Sequence, residues 1–98
     1  MILERANFTI KPGHAREFEE AFRQARAYIA RAKGFIRCEM RACIERENDY
    51  VLLVEWETLD DHMRGFRESA DFQEWRALMG PHFAGAPDVI HYEAPLAV

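Results

Sequence analysis

Polar and apolar positions alternate along the first ten residues. Leu3, Arg5, Asn7 and Thr9 point one way, and Ala6, Phe8 and Ile10 the other, which predicts a strand over residues 2–10. "KPGH" then supplies Pro-Gly punctuation, and the period changes. Over residues 15–32, Phe18, Ala21, Phe22, Ala25 and Ile29 recur at helical spacing, with Glu19, Glu20, Arg23 and Arg26 opposite; Gly34 is placed to end this helix with a left-handed cap. Residues 35–45 return to period two, with Ile36, Cys38, Met40, Ala42 and Ile44 on one face. After the turn chemistry of "ENDY" comes "YVLLVEW", apolar on both faces, the pattern of a strand covered on two sides.

Thr58 is a candidate cap for a second helix, with Asp60 and Asp61 in its first turn. Leu59, His62, Met63 and Phe66 follow at i, i+3, i+4 and i+7, which sets His62 on the inward stripe. Residues 71–79 form a further helical segment, capped by Ser69 or Asp71, with Phe72, Trp75, Leu78 and Met79 on one side. "GPHFAGAPD" reads as loop and residues 89–93 as a last strand. The order is βαββαβ. That predicts one α+β, ferredoxin-like domain over residues 1–98, a four-stranded antiparallel sheet with helices on one face. The other face would be a bare apolar patch in a monomer, so a homodimer packed sheet against sheet, a dimeric α/β barrel, is expected.

Charge narrows the function classes. Thirteen basic residues are interleaved with seventeen acidic ones, for a net charge of −4, which argues against a nucleic-acid partner. The N-terminal stretch lacks a signal-peptide core and nothing later is long enough to span a membrane, so a cytoplasmic protein with no membrane partner is expected. Cys38 and Cys43 are five residues apart on opposite faces of one strand and belong to no CxxC pair; they are expected to be reduced, with no structural metal.

"RANFTIKPGHAREFEEAF", "AKGFIRCEMRACIE", "YVLLVEWETLDDHMRGFRESADFQEW" and "VIHYE" together resemble the antibiotic biosynthesis monooxygenase domain over nearly the whole chain. The shared features are a Gly-Phe opening the second strand, a Trp-Glu ending the third and a Ser-x-x-Phe in the following helix. The resemblance implies a dimeric α+β barrel. It also implies cofactor-independent oxygenation of an aromatic molecule, with a non-catalytic small-molecule-binding dimer of the same fold as the alternative and haem binding or degradation as a third. The haem-degrading branch carries an Asn, a Trp and a His. Asn7 matches the first, but Phe66 and Arg76 fall at the other two positions, with Trp75 one residue out of register. Haem, for which His62 or His82 would have to substitute as ligand, is therefore disfavoured and no cofactor is expected.

Cofactor-free chemistry needs an apolar pocket for a flat aromatic body, a base, and a donor for the enolate oxygen. The expected site lies between sheet and helices. Asn7 is the candidate oxyanion donor and His62 the candidate base. Phe66, Phe72 and Trp75 are candidate walls, and Arg76, with Arg67, a clamp for an acidic substrate. Each has an ordinary alternative: aromatic residues at helical spacing fill cores, a histidine on an apolar stripe is commonly satisfied by a neighbour, and helical arginines are commonly solvated. His14 and His82 read as solvated, Trp56 as packing, and His91 as a mid-strand residue in phase with Val89 and Glu93.

Overall fold

The computed structural model describes residues 1–97. Strand β1 (Ile2–Thr9) leads to helix α1 (Ala15–Ala30), β2 (Phe35–Ala42) and β3 (Asp49–Trp56). A π-helical turn (Asp61–Phe66), helix α2 (Ala70–Met79), a 3₁₀ turn (Gly80–His82) and β4 (Asp88–Tyr92) complete it. The four strands lie in the order β2-β3-β1-β4, every neighbouring pair antiparallel. This is the ferredoxin-like α+β arrangement, with α1 and α2 packed on each other over one face of the sheet.

Period two decides what meets the helices. From β1 the inward residues are Glu4, Ala6 and Phe8; from β3 they are Tyr50, Leu52, Val54 and Trp56. Helix α1 answers with Phe18, Ala21, Ala25 and Ile29. Trp56 is completely buried, and a large side chain taken fully out of water contributes about 2–3 kcal/mol. The outward face carries Leu3, Arg5 and Asn7 beside Val51, Leu53, Ile90 and Tyr92, with no element over it among the described residues.

Several boundaries differ from the expected ones. Helix α1 ends at Ala30, so Gly34 is no helix cap. It adopts φ 82 in the turn into β2, where its carbonyl accepts a 2.8 Å hydrogen bond from Glu57 N–H and a Cβ would collide with the Asp61 carboxylate. A register shift between Phe35 and Arg37 turns Phe35 onto Trp56 and leaves Ile36 exposed. Strand β2 stops at Ala42, so Cys43 lies beyond it, Ile44 is exposed, and both thiols are free.

The segment around His62 departs most. Thr58 Oγ1 does accept from Asp61 N–H, at 3.1 Å. The chain then winds with i→i+5 spacing, Arg67 N–H donating to the His62 carbonyl at 2.9 Å. This wider turn brings His62 and Phe66 inward but leaves Leu59 46% and Met63 37% exposed. The four-residue stripe expected of an α-helix is thus halved. Ser69 restarts the helix: its Oγ accepts from Phe72 N–H and donates to the Phe66 carbonyl.

Candidate active site

Glu4 sits in the middle of β1 on the helix-facing side, opposite Val54 of β3 and His91 of β4. A carboxylate is costly to hold there, and Glu4 is 5% exposed. Trp56 Nε1–H donates to its Oε1 at 2.9 Å. His62 Nε2, presented by the π-helical turn, stands 3.3 Å from the same oxygen. Oε2 accepts no hydrogen bond from the described residues. On the far side of His62, Nδ1 lies 2.8 Å from His91 Nε2. Glu4, His62 and His91 therefore form a continuous line from β1 to the edge strand β4. The His62 ring is stacked on Trp56, centroids 5.2 Å apart and planes within 20°.

Burial governs the protonation of this group. It pushes the Glu4 carboxyl up to about 7, against the opposing pull of the Trp56 hydrogen bond and the Arg67 charge. It pushes His62 down to about 3, aided by His91 and Arg67. His91 is lowered too, by burial and then by Arg67. At neutral pH both imidazoles are uncharged, so the His62–Glu4 contact is a neutral imidazole against a carboxyl and not an ion pair.

A cavity of about 610 Å³ opens beside the line. Glu4 and His62 form its polar end. Ala6, Phe8 and Leu52 form its floor, and Phe66, Phe72 and Trp75 an aromatic wall. The wall is built edge to face: Phe66 meets Phe72 at 90° and Trp75 at 83°. Arg67 and Arg76 also line the cavity while exposed to solvent, so two guanidinium groups stand at its rim.

Six residues named from the sequence, His62, Phe66, Arg67, Phe72, Trp75 and Arg76, are thus brought around one cavity. Phe66 and Trp75 belong to the core and line the cavity, so the two readings of them coexist. Asn7 is a correction. It shares the outward phase of Leu3 and Arg5, opposite Val51 and Asp88, and the sheet separates it from the cavity. His91 contributes as well, where the sequence suggested an ordinary strand residue. His14 and His82 are half-buried against each other, Nδ1 to Nδ1 at 3.1 Å, instead of solvated. Sequence reasoning missed Glu4, whose signal was its phase: a charged residue in step with Ala6 and Phe8.

The donor set does not fit haem. His62 is the histidine at the cavity, and its two ring nitrogens face Glu4 and His91. Arg76 offers no axial ligand.

Residues 1–78 match the family model described as antibiotic biosynthesis monooxygenase. The uncharacterised protein YczJ of Bacillus subtilis (strain 168) is 46% identical over 93 residues, covering 95% of this chain and 98% of YczJ. A Bordetella bronchiseptica crystal structure, provisionally classed as an antibiotic biosynthesis monooxygenase, superposes with a TM-score of 0.93 at 44% identity, covering 97% of each chain. SnoaB of Streptomyces nogalater, described as a cofactor-independent oxygenase, shares the fold with a TM-score of 0.84 at 22% identity, over 99% of this chain and 95% of SnoaB. The chain belongs to the antibiotic biosynthesis monooxygenase family.

Proposed function

We propose that the protein is a cofactor-independent monooxygenase that oxidises a flat aromatic or quinone-forming molecule in the cavity between sheet and helices. The observation that carries this reading is the cavity itself: about 610 Å³, aromatic on one wall, with a carboxyl–imidazole pair at one end. That volume suits a ligand of a few fused rings. Family membership and the fold shared with SnoaB support the same reaction class. Phe66, Phe72 and Trp75 hold the rings, Glu4 and His62 handle the proton, and Arg67 and Arg76 favour the enolate oxygen.

The chemistry balances without an electron carrier. A CH₂ group activated by the rings loses a proton and leaves its electron pair on the substrate as an enolate. The enolate reduces O₂ and couples with it to give a peroxide, which takes the proton back. Loss of water then leaves a new carbonyl. Anthrone is a suitable probe, because its oxidation consumes O₂ in equal amount and yields anthraquinone. Wild-type protein should consume O₂ with anthrone well above the buffer rate, and Trp75→Ala should raise the KM. Tight anthrone binding with no O₂ uptake above buffer would sink the reading in favour of a non-catalytic binding module.

Two copies are proposed to pack through the outward sheet face. Leu3, Val51, Leu53, Ile90 and Tyr92 supply apolar area there. Arg5–Asp88 and Arg37–Glu55 pairs put both charge signs on it, so a second copy meets complementary charge. The free thiols of Cys38 and Cys43 suit a reducing, cytoplasmic compartment.

A further inference from the structure

Three features of the site divide the proton handling between its groups. Glu4 has one oxygen held by Trp56 and approached by His62, and a second with no partner among the described residues, on a residue that lines the cavity. His62 has no ring nitrogen left for a ligand, because both face protein groups. His91, at the end of the line, does not line the cavity. It is half-buried on β4, the edge strand of the sheet. A base at the cavity with one oxygen unpartnered and a two-imidazole path behind it is a layout for moving one proton.

We infer that Glu4 is the base of this site, and that His62 and His91 are its proton outlet to the edge of the sheet. The inference rests on the oxygenase reading and deepens it by assigning the proton-taking group. In the protonated state, Glu4 carries its proton on Oε1, facing His62 Nε2, while His62 and His91 each carry theirs on Nδ1. To arm the base, Oε1–H passes to His62 Nε2, the His62 Nδ1 proton passes to His91 Nε2, and the His91 Nδ1 proton leaves to water. One proton is lost, both imidazoles stay neutral with tautomers exchanged, and the negative charge is left on Glu4. Glu4 Oε2 then takes the substrate C–H proton, and the electron pair stays on the substrate. The 2.8 Å step is at hydrogen-bond length, and the 3.3 Å step closes with a small turn of the carboxyl.

Every element around Glu4 is compatible with this assignment. His62 and Arg67 face it from the π-helical turn and the residue after it, His91 from β4, and the Trp56 indole from β3. Burial raises the Cys38 thiol of β2, Arg26 of α1 opposes the rise, and the Glu4 charge adds to it, which sets both groups near Glu4. Glu39, which also acts on that thiol, pairs with Leu53 in the outward phase of β2, so no second carboxylate among these groups competes for the proton on the helix-facing side. Arg67 lowers Glu4 and both histidines, so it favours the state with an ionised base and neutral relays. With an aromatic body seated against Glu4, water in the cavity is displaced, and the line through His91 remains as a route by which the carboxyl ionises.

Two measurements test the inference separately from the oxygenase reading. First, anthrone is incubated anaerobically in D₂O, and deuterium entry at its CH₂ is followed. Wild-type protein should accelerate exchange, and Glu4→Gln should reduce the acceleration at least about 100-fold while anthrone still binds. Exchange by Glu4→Gln at the wild-type rate overturns Glu4 as base. Second, ring ¹⁵N shifts of His62 and His91 are followed against the Glu4 side-chain carboxyl ¹³C shift without ligand. The His62 proton should switch between Nδ1 and Nε2 in step with the Glu4 titration, and this coupling should vanish in His91→Phe. A single His62 tautomer throughout the Glu4 titration overturns the relay. A coupled switch in a protein that neither exchanges nor oxidises anthrone would overturn the oxygenase reading and leave the proton line standing.

Discussion

Replacing Glu4 by glutamine should stabilise the protein, and by more as the pH rises. Burial raises this carboxyl from 4.5 to about 7, so between those values the native state holds a proton that the unfolded chain has released. Stability therefore falls as pH climbs through this window: the unfolded state binds fewer protons, and the slope is negative. A shift of this size is worth about 3 kcal/mol once the pH is above 7, and about 1 kcal/mol at pH 5. Glutamine keeps an oxygen to accept the Trp56 N–H and carries no charge, so it removes the penalty without enlarging the site. The depressed His62 works the other way, costing stability as pH falls from 6.5 toward 3. It is present in both proteins and largely cancels from their difference.

Urea unfolding of both proteins at pH 5, 6, 7 and 8, at one fixed protein concentration, measures this. Glu4→Gln should exceed wild type by about 1 kcal/mol at pH 5 and about 3 kcal/mol at pH 8, a midpoint shift of roughly 1–3 M at pH 8 for a domain of this size. A difference that stays constant across the series would refute the reasoning, because it would mean that Glu4 ionises alike in the folded and unfolded chain. So would a less stable variant at pH 8. A variant that is more stable and less able to exchange anthrone protons would identify the buried carboxyl as strain retained for chemistry.

Gly34→Ala should lower stability by about 1–3 kcal/mol, since φ 82 is strained for alanine and the new methyl meets the Asp61 carboxylate; thermal unfolding reads it. An unchanged Tm would mean the turn into β2 rearranges freely. Leu53→Asp, on the outward face, should convert the proposed dimer to monomer in sedimentation velocity while leaving the circular dichroism spectrum intact. A variant that still sediments as wild type would remove that face from the interface.

The sequence was most readable where one physical rule acted alone. Alternation separated inward Ala6 and Phe8 from outward Arg5 and Asn7, and helical spacing found the inward face of α1. It failed where backbone geometry departed from the regular period. The shift at Phe35/Arg37 exchanged Phe35 for Ile36, and the π-helical winding moved Leu59 and Met63 off the stripe that kept His62 and Phe66. Neither departure has a signature in side-chain pattern, because each is set by what the neighbouring strand or sheet will accept.

Asn7 and Glu4 carry the deeper lesson, since the same alternation bears on both. Chemical type drew attention to Asn7, an amide in mid-strand, and away from Glu4, one acidic residue among seventeen. Phase reverses that ranking. A polar residue on the outward side of a sheet meets solvent or a partner and needs no explanation. A carboxylate in step with Ala6 and Phe8 must be buried, and burial is tolerated only beside donors that offset the lost hydration. The donor is Trp56, on β3; His62, 58 positions along the chain from Glu4, stands against the same oxygen, with His91 behind it on β4. No local window contains the set. Phase alone singles out the residue around which the fold must assemble partners, and the aromatic-walled cavity lies beside it.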